Sequence, residues 1–298
     1  MQLSELKSLL SRFHIRPDKR LGQNFLLSEE VLDKIVAAAE LKLDDTVLEI
    51  GPGLGVLTRK LGEKAGLVLA VEKDRKLGAA LRKLLKNKKN IKIISDDALF
   101  LDLTAYNLTV NSYKIVANIP YYITGKLLQN FLTTEIKPSL MVLLLQKEVA
   151  ERIVAKPGDM SLLAVSVQFY ADAEIVARVS KENFYPVPDV DSAIVRLRIL
   201  EKPRLDLDQH SFFHLVKIGF SNKRKQLQNN LLNLPTSFSQ FREASLNEFQ
   251  GSKSNKSKFL ETHRNYKELL QSLNINPLAR AQDLSLRDWE KLYHKLAL

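Results

Sequence analysis

The stretch Thr46-Val47-Leu48-Glu49-Ile50-Gly51-Pro52-Gly53-Leu54-Gly55 joins a short apolar run to three closely spaced glycines. The apolar run predicts a buried strand, and the glycines predict a tight turn into a helix over residues 56–62. Glycine allows a positive φ and lets a ligand lie against the backbone, although such a turn can also be purely structural. The spacing is not the G-x-G-x-x-G of dinucleotide sites. No Gly-Lys-Ser or Gly-Lys-Thr follows either, so a triphosphate ligand is not expected.

Outward from this turn, short apolar runs alternate with amphipathic segments. Strands separated by helices imply parallel β-α-β units, so the expected fold is an α/β doubly wound sheet. Two further runs, 174–179 and 192–199, alternate in polarity and are joined by a short connection, which suggests an antiparallel hairpin at the sheet edge. The parallel strands are predicted at 46–50, 67–71, 91–94, 114–117 and 140–145.

Beyond residue 204 the apolar spacing is that of helices throughout. We therefore expect a first domain over residues 1–204 and a small all-helical domain over residues 205–298. A polar, basic stretch at 251–258 is expected to form a loop. Helices of the second domain are predicted at 212–219, 225–232, 238–249, 259–273 and after Ser285.

Composition narrows the class of protein and of partner. The 298 residues include 45 Lys and Arg against 34 Asp and Glu, a formal charge of +11. Such an excess suggests a polyanionic partner, and nucleic acid is the leading candidate. The alternative explanation of the charge is a generally basic proteome. The absence of Cys excludes disulfides, thiolate zinc sites and Cys nucleophiles.

Other signals concern membranes and metals. No apolar run approaches the roughly 20 residues that span a bilayer, and no signal-peptide pattern is present, so a cytoplasmic location without a membrane partner is expected. His210 and His214 are four residues apart on a predicted helix, but no third ligand accompanies them. A metal site is therefore not expected.

The second and third predicted strands end in acidic residues. Glu72 lies ~20 residues beyond Gly51, where a carboxylate can accept hydrogen bonds from both hydroxyls of a ribose. Asp97 is placed to accept a hydrogen bond from an adenine amine. Asp96 is the less favoured choice, since it could equally cap a helix or face solvent. Because the carboxyl ends of parallel strands meet at one edge of the sheet, these groups should surround one ligand.

The fourth strand runs into Asn118-Ile119-Pro120-Tyr121. Pro120 must end the strand because it has no N–H to donate. Asn118 offers a carbonyl acceptor and two amide donors, and Tyr121 offers a flat face for stacking. The pair suits a planar substrate with an exocyclic amine. The alternative is an ordinary strand-to-turn junction with a satisfied Asn.

Five motifs are distributed along nearly the whole chain: Leu-Gly-Gln-Asn-Phe-Leu (21–26), Glu-Ile-Gly-Pro-Gly-Leu-Gly (49–55), Asn-Ile-Pro-Tyr-Tyr-Ile-Thr (118–124), Leu-Gln-Lys-Glu-Val-Ala (145–150) and Phe-Tyr-Pro-Val-Pro-Asp-Val-Asp-Ser-Ala (184–193). Together they resemble the motifs of the rRNA adenine dimethyltransferases. The resemblance implies a Rossmann-like class I methyltransferase sheet, S-adenosyl-L-methionine as methyl donor, and two adjacent adenines near the 3′ end of 16S small-subunit rRNA as substrate. It also implies a monomer that acts on an immature ribosomal subunit.

The family pattern assigns catalytic roles to the corner at residues 118–121. The Asn118 side-chain oxygen and the Ile119 backbone carbonyl would accept hydrogen bonds from the adenine amine, with Pro120 shaping the corner. Tyr121 and Phe184 would stack on the base, although packing at the Pro-rich corner is an almost equal alternative for Phe184.

The same pattern predicts which residues contact the cofactor and which domain binds rRNA. Residues 1–27 would close the cofactor pocket within a catalytic domain at 1–204, and the helical domain would bind rRNA. The cofactor positions are Asn24, Leu26, Gly51, Gly53, Glu72, Asp97 and Asn118. The basic side chains, rather than the family pattern, suggest the candidate RNA phosphate contacts Arg20, Lys223, Arg224 and Lys225, and a solvated basic face is an equal alternative for each of them.

Two features depart from the pattern: Ile119, where the ribosomal subfamily often has Leu, and the basic insertion at 251–258. Asn-Ile-Pro-Tyr is also familiar from erythromycin-resistance methyltransferases, which modify large-subunit rRNA, so the tetrapeptide alone does not choose the substrate. The helical tail favours the ribosomal (KsgA/RsmA) subfamily through residues 220–227 and 280–285. A non-catalytic RNA-binding assembly factor with the same fold is a further alternative.

Overall fold

Nine strands are present in the computed structural model, which describes residues 1–18, 22–234 and 266–297 and, for Tyr121 and Ala297, the backbone alone. They are β1 (Phe25–Leu26), β2 (Thr46–Ile50), β3 (Leu67–Val71), β4 (Ile91–Ile94), β5 (Tyr113–Asn118), β6 (Leu140–Gln146), β7 (Ala171–Val179), β8 (Phe184–Tyr185) and β9 (Ser192–Ile199).

Seven of these strands form one sheet with the order β4-β3-β2-β5-β6-β9-β7. Neighbours from β4 through β6 pair in parallel, which confirms the predicted doubly wound sheet. The chain moves outward from β2 through β3 to β4 and then returns to β5 on the other side of β2. The strand order therefore reverses between β2 and β5, and their carboxyl ends border the crevice where open α/β sheets bind ligands.

The two last long strands are antiparallel, as predicted. β9 pairs with β6 on one side and with β7 on the other, so β7 is the outer strand. Their connection also carries β8, which pairs with β1. That pairing places Leu26 opposite Phe184, so it fastens the N-terminal segment to the connection.

Six α-helices occur among the described residues of the sheet-containing part of the chain. Their starts follow sequence signals: the Ser28 hydroxyl accepts a hydrogen bond from the Val31 amide at 3.3 Å, and the Asp74 carboxylate accepts one from the Lys76 amide at 2.8 Å. Ser and Asp are among the residue types that most often cap helices. The helices are α1 (Leu3–Arg12), α2 (Glu29–Ala38), α3 (Val56–Gly62), α4 (Arg75–Leu84), α5 (Thr124–Thr133) and α6 (Lys147–Ile153).

The N-terminal helix α1 is amphipathic and buries its apolar face. Leu6 and Leu10 belong to a cluster of buried side chains that also contains Phe25, Leu54 and Leu77. Leu54 lies in the glycine turn and Leu77 in α4. The N-terminal segment therefore packs on the turn that follows β2, next to the crevice.

Contacts divide the chain into two compact units, Met1–Val154 with Tyr170–Lys202 and Ala155–Phe169 with Pro203–Leu298. The sequence places one boundary at residue 204. In the structure, residues 155–169 also group with the C-terminal helices. One reason is that the Phe169 ring stacks on Phe212, with 5.2 Å between ring centroids.

The second unit is helical, as predicted for the described residues. Its helices include α7 (Leu162–Tyr170, of which Tyr170 belongs to the first unit), α8 (Gln209–Gly219), α9 (Leu227–Leu231), residues 266–272 and the C-terminal helix Leu286–Ala297. The predicted helix 238–249, the loop 251–258 and the first part of helix 259–273 lie outside the described residues. Nowhere in the described ranges is a helix both long and apolar enough to span a membrane.

Candidate functional site

A cavity of ≈ 420 Å³ opens in the first unit at the carboxyl ends of the parallel strands. The N-terminal segment, the glycine turn and the ends of β3, β4 and β5 all contribute to its wall. The structure brings together on this wall every position assigned to the cofactor by the sequence: Asn24, Leu26, Gly51, Gly53, Glu72, Asp97 and Asn118.

The glycine turn forms one side of the cavity, and its backbone explains the residue choice. Gly53 and Gly55 have φ of +58° and +79°, a region that strains other residues. A Cβ at Gly55 would lie 2.5 Å from Leu81 Cδ1, and one at Gly53 would lie 3.2 Å from Phe25 Cε1. The turn therefore presents bare backbone to the cavity and lets α3 and α4 pack closely.

Glu72 is held against this turn. Its Oε2 accepts a hydrogen bond from the Gly53 amide at 3.2 Å, and its Oε1 accepts one from the Asp74 amide at 2.9 Å. Burial raises the pKa of Glu72 to about 7, against the lowering effect of these two hydrogen bonds. Each carboxylate oxygen keeps lone pairs for a further donor, so the group can accept hydrogen bonds from vicinal hydroxyls.

Glu49 is a second buried carboxyl on the same wall, and the sequence reasoning gave it no role. Its side chain is 1% exposed, and its Oε2 accepts no hydrogen bond from the described residues. Burial raises the pKa of Glu49 to about 8. A buried acceptor of this kind is satisfied by a ligand that donates hydrogen bonds or carries positive charge.

Asp97 lies at the third strand end. Its carboxylate accepts hydrogen bonds from Lys73 Nζ at 2.8 Å and from the Leu99 amide at 3.0 Å. Partial burial acts to raise its pKa, but the two hydrogen bonds, together with the positive charges of Lys73 and Lys126, outweigh burial and leave the pKa of Asp97 lowered. Asp96 also lines the cavity, yet its side chain is exposed and accepts a hydrogen bond from the Asp97 amide at 2.7 Å.

Asn118 ends β5 at the edge of the crevice. Its Nδ2 donates a hydrogen bond to the Asn24 backbone carbonyl at 3.1 Å. Since a carbonyl can only accept, this contact orients the amide and leaves Oδ1 as the acceptor. Among the described residues no donor contacts Oδ1, so it can accept a hydrogen bond from a substrate amine.

The other residues of the Asn-Ile-Pro-Tyr corner differ in whether they line the cavity or lie in the core. Pro120 lines the cavity, whereas the Ile119 side chain is 1% exposed and Ile119 is not among the cavity residues. The Ile119 amide donates to the Leu144 carbonyl at 3.3 Å, which fixes the corner to β6. Tyr121 begins the short 3₁₀ turn Tyr121–Ile123, and its side chain lies outside the described atoms.

Phe184 lies in the core in this structure. Its side chain is 2% exposed and belongs to a buried cluster that includes Leu26 and Leu32. This position agrees with the packing alternative stated for Phe184, and its stacking role stays a prediction.

Gln23 belongs to the motif at residues 21–26, which predicts no role for it, and the structure gives it one. Its Nε2 donates to the Asp74 carboxylate at 3.2 Å, and its Oε1 accepts from the Asp18 amide at 2.9 Å. Asp74 caps α4 directly beside Glu72. Gln23 therefore ties the N-terminal segment to the strand end that carries Glu72.

Three of the four candidate RNA contacts lie in the second unit. Lys223, Arg224 and Lys225 are exposed between α8 and α9 in the second unit. Asn230 supports this connection by donating hydrogen bonds to the carbonyls of Gly219 at 2.6 Å and Asn222 at 3.1 Å. Arg20 lies outside the described residues. No group of three or more potential metal ligands occurs within the described ranges.

The sequence of this chain is similar to those of known proteins. The model of the family described as ribosomal RNA adenine dimethylase matches residues 15–271. A ribosomal RNA small subunit methyltransferase A of Dehalococcoides mccartyi is 40% identical over 97% of this chain and 92% of its own length. One from Trichormus variabilis is 40% identical over 95% of this chain and 99% of its own.

Solved structures resemble the chain over most of its length. A dimethyladenosine transferase from Plasmodium falciparum has a TM-score of 0.72 at 28% identity and covers 92% of this chain and 98% of its own. The 23S rRNA methyltransferase ErmE has a TM-score of 0.68 at 26% identity and covers 92% of this chain and 100% of its own.

Proposed function

Because the chain belongs to the ribosomal RNA adenine dimethylase family, we propose that it dimethylates the N6 amines of two adjacent adenines near the 3′ end of small-subunit rRNA. The chain is an rRNA methyltransferase, and S-adenosylmethionine is its methyl donor. The observation that carries the proposal is the meeting of Glu72, Asp97 and Asn118 on one cavity at the strand ends.

The residues present fit the cofactor. Glu72 would accept hydrogen bonds from the ribose hydroxyls, and Asp97 would accept one from the adenine amine. Glu49 supplies a buried, unsatisfied oxygen that suits the positively charged methionyl end. When bound, S-adenosylmethionine supplies an electrophilic methyl group.

The task of the chain's own residues is to position the acceptor amine. An adenine amine is a poor nucleophile because its lone pair is delocalised into the ring. Hydrogen bonds from its two N–H groups to Asn118 Oδ1 and to the Ile119 carbonyl would favour a pyramidal nitrogen with an available lone pair. No strong base is needed before transfer, because the ammonium product is acidic and loses its proton to water. Positioning and electrostatics then supply most of the acceleration.

The adenine must leave its stack to reach Asn118. Tyr121 would stack on the extruded base, and Phe184 is the second candidate. Since Phe184 is buried against Leu26 of β1, its ring would contact the base only after a local movement of β1 or β8. Tyr121 is therefore the first stacking partner to test.

The names of the similar proteins and the sequence of the C-terminal helical domain support small-subunit rRNA as the substrate. Relatives named for the small subunit reach 40% identity across nearly the whole chain, whereas ErmE reaches 26%, so a large-subunit substrate is not favoured. We infer that a monomer acts on an immature small subunit in the cytoplasm, with Arg20, Lys223, Arg224 and Lys225 at RNA phosphates. A purely non-catalytic assembly factor would not require the set of Glu72, Asp97 and Asn118.

A methyl-transfer assay tests the proposal. The purified chain is incubated with S-adenosylmethionine labelled in the methyl group and, separately, with small subunits that lack the modification, with fully modified small subunits and with large-subunit rRNA. Label should enter the unmodified small subunits alone. Label only in large-subunit rRNA would refute the small-subunit substrate, and the absence of label from every sample would refute the methyltransferase activity.

A further inference from the structure

An exposed phenylalanine lies at the rim of the cavity. Phe100 is 72% exposed and directly follows Asp97, Ala98 and Leu99, which all line the cavity. Exposure of most of a Phe side chain forfeits much of the ~1.5–3 kcal/mol that full burial would provide, so the ring does not serve the core.

The ring is held in place although it is exposed. The Phe100 amide donates to the Asp97 carbonyl at 2.9 Å, and Asn130 of α5 donates to the Leu99 carbonyl at 2.9 Å. The Lys126 ammonium, also on α5, lies 5.0 Å from the centroid of the Phe100 ring. A cation therefore covers one face of the ring, and the other face is left to solvent.

The surroundings of this ring match those of a single-strand binding surface. Tyr122 is 59% exposed, lines the cavity and precedes Lys126 by four residues, so the two share a side of the helical segment. Lys73 is 68% exposed beside Asp97. Aromatic faces interleaved with cations are the arrangement that holds unstacked bases and their phosphates.

Two other exposed apolar side chains of the first unit lack this context. Leu43 is 80% exposed and Val110 is 57% exposed, and each precedes a parallel strand, β2 and β5 respectively. They therefore lie toward the amino-terminal ends of the strands, away from Asn118. The exposed aromatic rings are at the catalytic edge of the sheet.

We propose that Phe100, with Lys126 over its ring, is a stacking platform for an RNA base that neighbours the target adenine. This inference rests on the proposed function, since it places the flanking strand of the same substrate. Extrusion of the adenine from its stack exposes the face of an adjacent base. Phe100 offers that base a new partner, and Lys126 offers a contact to phosphate. The platform would hold the strand while Asn118 holds the amine.

Fluorescence tests the contact directly. The single native Trp, Trp289, is fully buried, so Phe100→Trp in the full chain adds an exposed reporter. Val110→Trp is the matched control at the opposite end of β5. The probe is an RNA fragment from the 3′ end of small-subunit rRNA that contains the two adjacent adenines. We expect this RNA to quench Phe100→Trp well beyond Val110→Trp and wild type, whereas equal quenching in the three proteins would overturn the platform.

Turnover gives a second test. Phe100→Ala should raise KM for unmodified small subunits by about fivefold or more, the lower limit for loss of one base-aromatic stack. KM for S-adenosylmethionine should not change, Phe100→Tyr should restore the wild-type value, and Val110→Ala should have no effect. Weaker binding to intact subunits with unchanged affinity for the RNA fragment would point to a protein contact and overturn the inference.

The two proposals fail separately. If wild type transfers no methyl group to any RNA, the proposed function fails, while the quenching comparison still decides whether a base stacks on residue 100. If wild type methylates small subunits and Phe100→Trp is not selectively quenched, only the platform fails.

Discussion

The side chain of Asn118 donates a hydrogen bond to the backbone carbonyl of Asn24 at 3.1 Å, across 94 positions of the chain. The contact joins the end of β5 to the N-terminal segment and fixes which end of the Asn118 amide faces the cavity. Folding of the N-terminal segment and orientation of the Asn118 amide are therefore coupled.

The role proposed for Asn118 predicts that Asn118→Ala abolishes transfer without abolishing RNA binding. The variant loses the proposed acceptor for the adenine amine, so kcat should fall by at least about 100-fold, as when one positioned transition-state hydrogen bond is removed. Asn118→Asp keeps an acceptor but loses the donor to Asn24, and should also be slow. Single-turnover kinetics and RNA gel shifts measure the two properties; an Ala variant with near-normal turnover would remove Asn118 from the mechanism.

Glu72→Gln should weaken cofactor binding. The carboxylate is buried and anchored by the Gly53 and Asp74 amides, so the Kd of S-adenosylmethionine should rise roughly 10-fold or more, as for loss of hydrogen bonds to a charged group. Glu63→Gln, an exposed position just after α3, is the matched control. Calorimetric titration at pH 8, above the pKa of Glu72, measures both; similar Kd values for the two variants would contradict the role of Glu72.

The stability of the cofactor-free protein should carry a pH signature of Glu49. Burial raises its pKa from 4.5 to about 8, so between these values the native state holds a proton that the unfolded state releases. The stability that Glu49 contributes is complete below pH 4.5 and is lost as pH rises through 8. The wild type loses this contribution as pH rises, whereas a Gln at position 49 cannot titrate. The stability of Glu49→Gln relative to wild type should therefore be higher at about pH 8.5 than at about pH 5.5.

A matched control separates this effect from the general titration of the chain. Glu30 is exposed, and the hydrogen bond from Lys34 lowers its pKa. The contribution of Glu30 to folding stability is therefore complete above the usual pKa of a carboxyl group and does not change at higher pH. Glu30→Gln should show no relative gain with rising pH. Urea unfolding at both pH values measures the difference, and parallel curves for Glu49→Gln and Glu30→Gln would show that Glu49 titrates normally.

Two glycine substitutions should change stability in opposite directions. Gly55→Ala places a Cβ 2.5 Å from Leu81 Cδ1 at a φ of +79°, so it should cost about 1–3 kcal/mol of unfolding free energy. Gly125 lies in α5 with nothing within 4 Å of an added Cβ. Gly125→Ala should stabilise by up to about 1 kcal/mol, through helix propensity. Thermal unfolding of the two variants side by side checks the signs, and a neutral Gly55→Ala would show that the turn does not need glycine there.

The sheet strands were predictable because their signal is local. β2, β3, β4 and β9 have the bounds expected from their apolar runs, and Ser28 and Asp74 cap helices as their side chains suggest. In contrast, α5 was not predicted. It follows a 3₁₀ turn without a side-chain cap and opens with Thr124 and Gly125, which are poor helix formers, although Leu127, Leu128 and Phe131 are buried at helical spacing.

The features that sequence did not reveal depend on distant contacts. β1 and β8 contain two residues each, too few for any periodicity, and they are defined by pairing with each other. Glu49 in β2 is flanked by apolar residues, and only the helices that cover both faces of the parallel sheet explain why it is buried. The exposure of Phe100 has no local signal either, because the same residue type occurs throughout the core.

The most direct test of the central claim is the chemical identity and position of the product. Unmodified small subunits are incubated with the chain and S-adenosylmethionine, the rRNA is digested, and the fragments are analysed by mass spectrometry. The account predicts N6,N6-dimethyladenosine at two adjacent positions near the 3′ end, and none after reaction with Asn118→Ala. Methylation at a ring nitrogen, at another site or in large-subunit rRNA alone would contradict it.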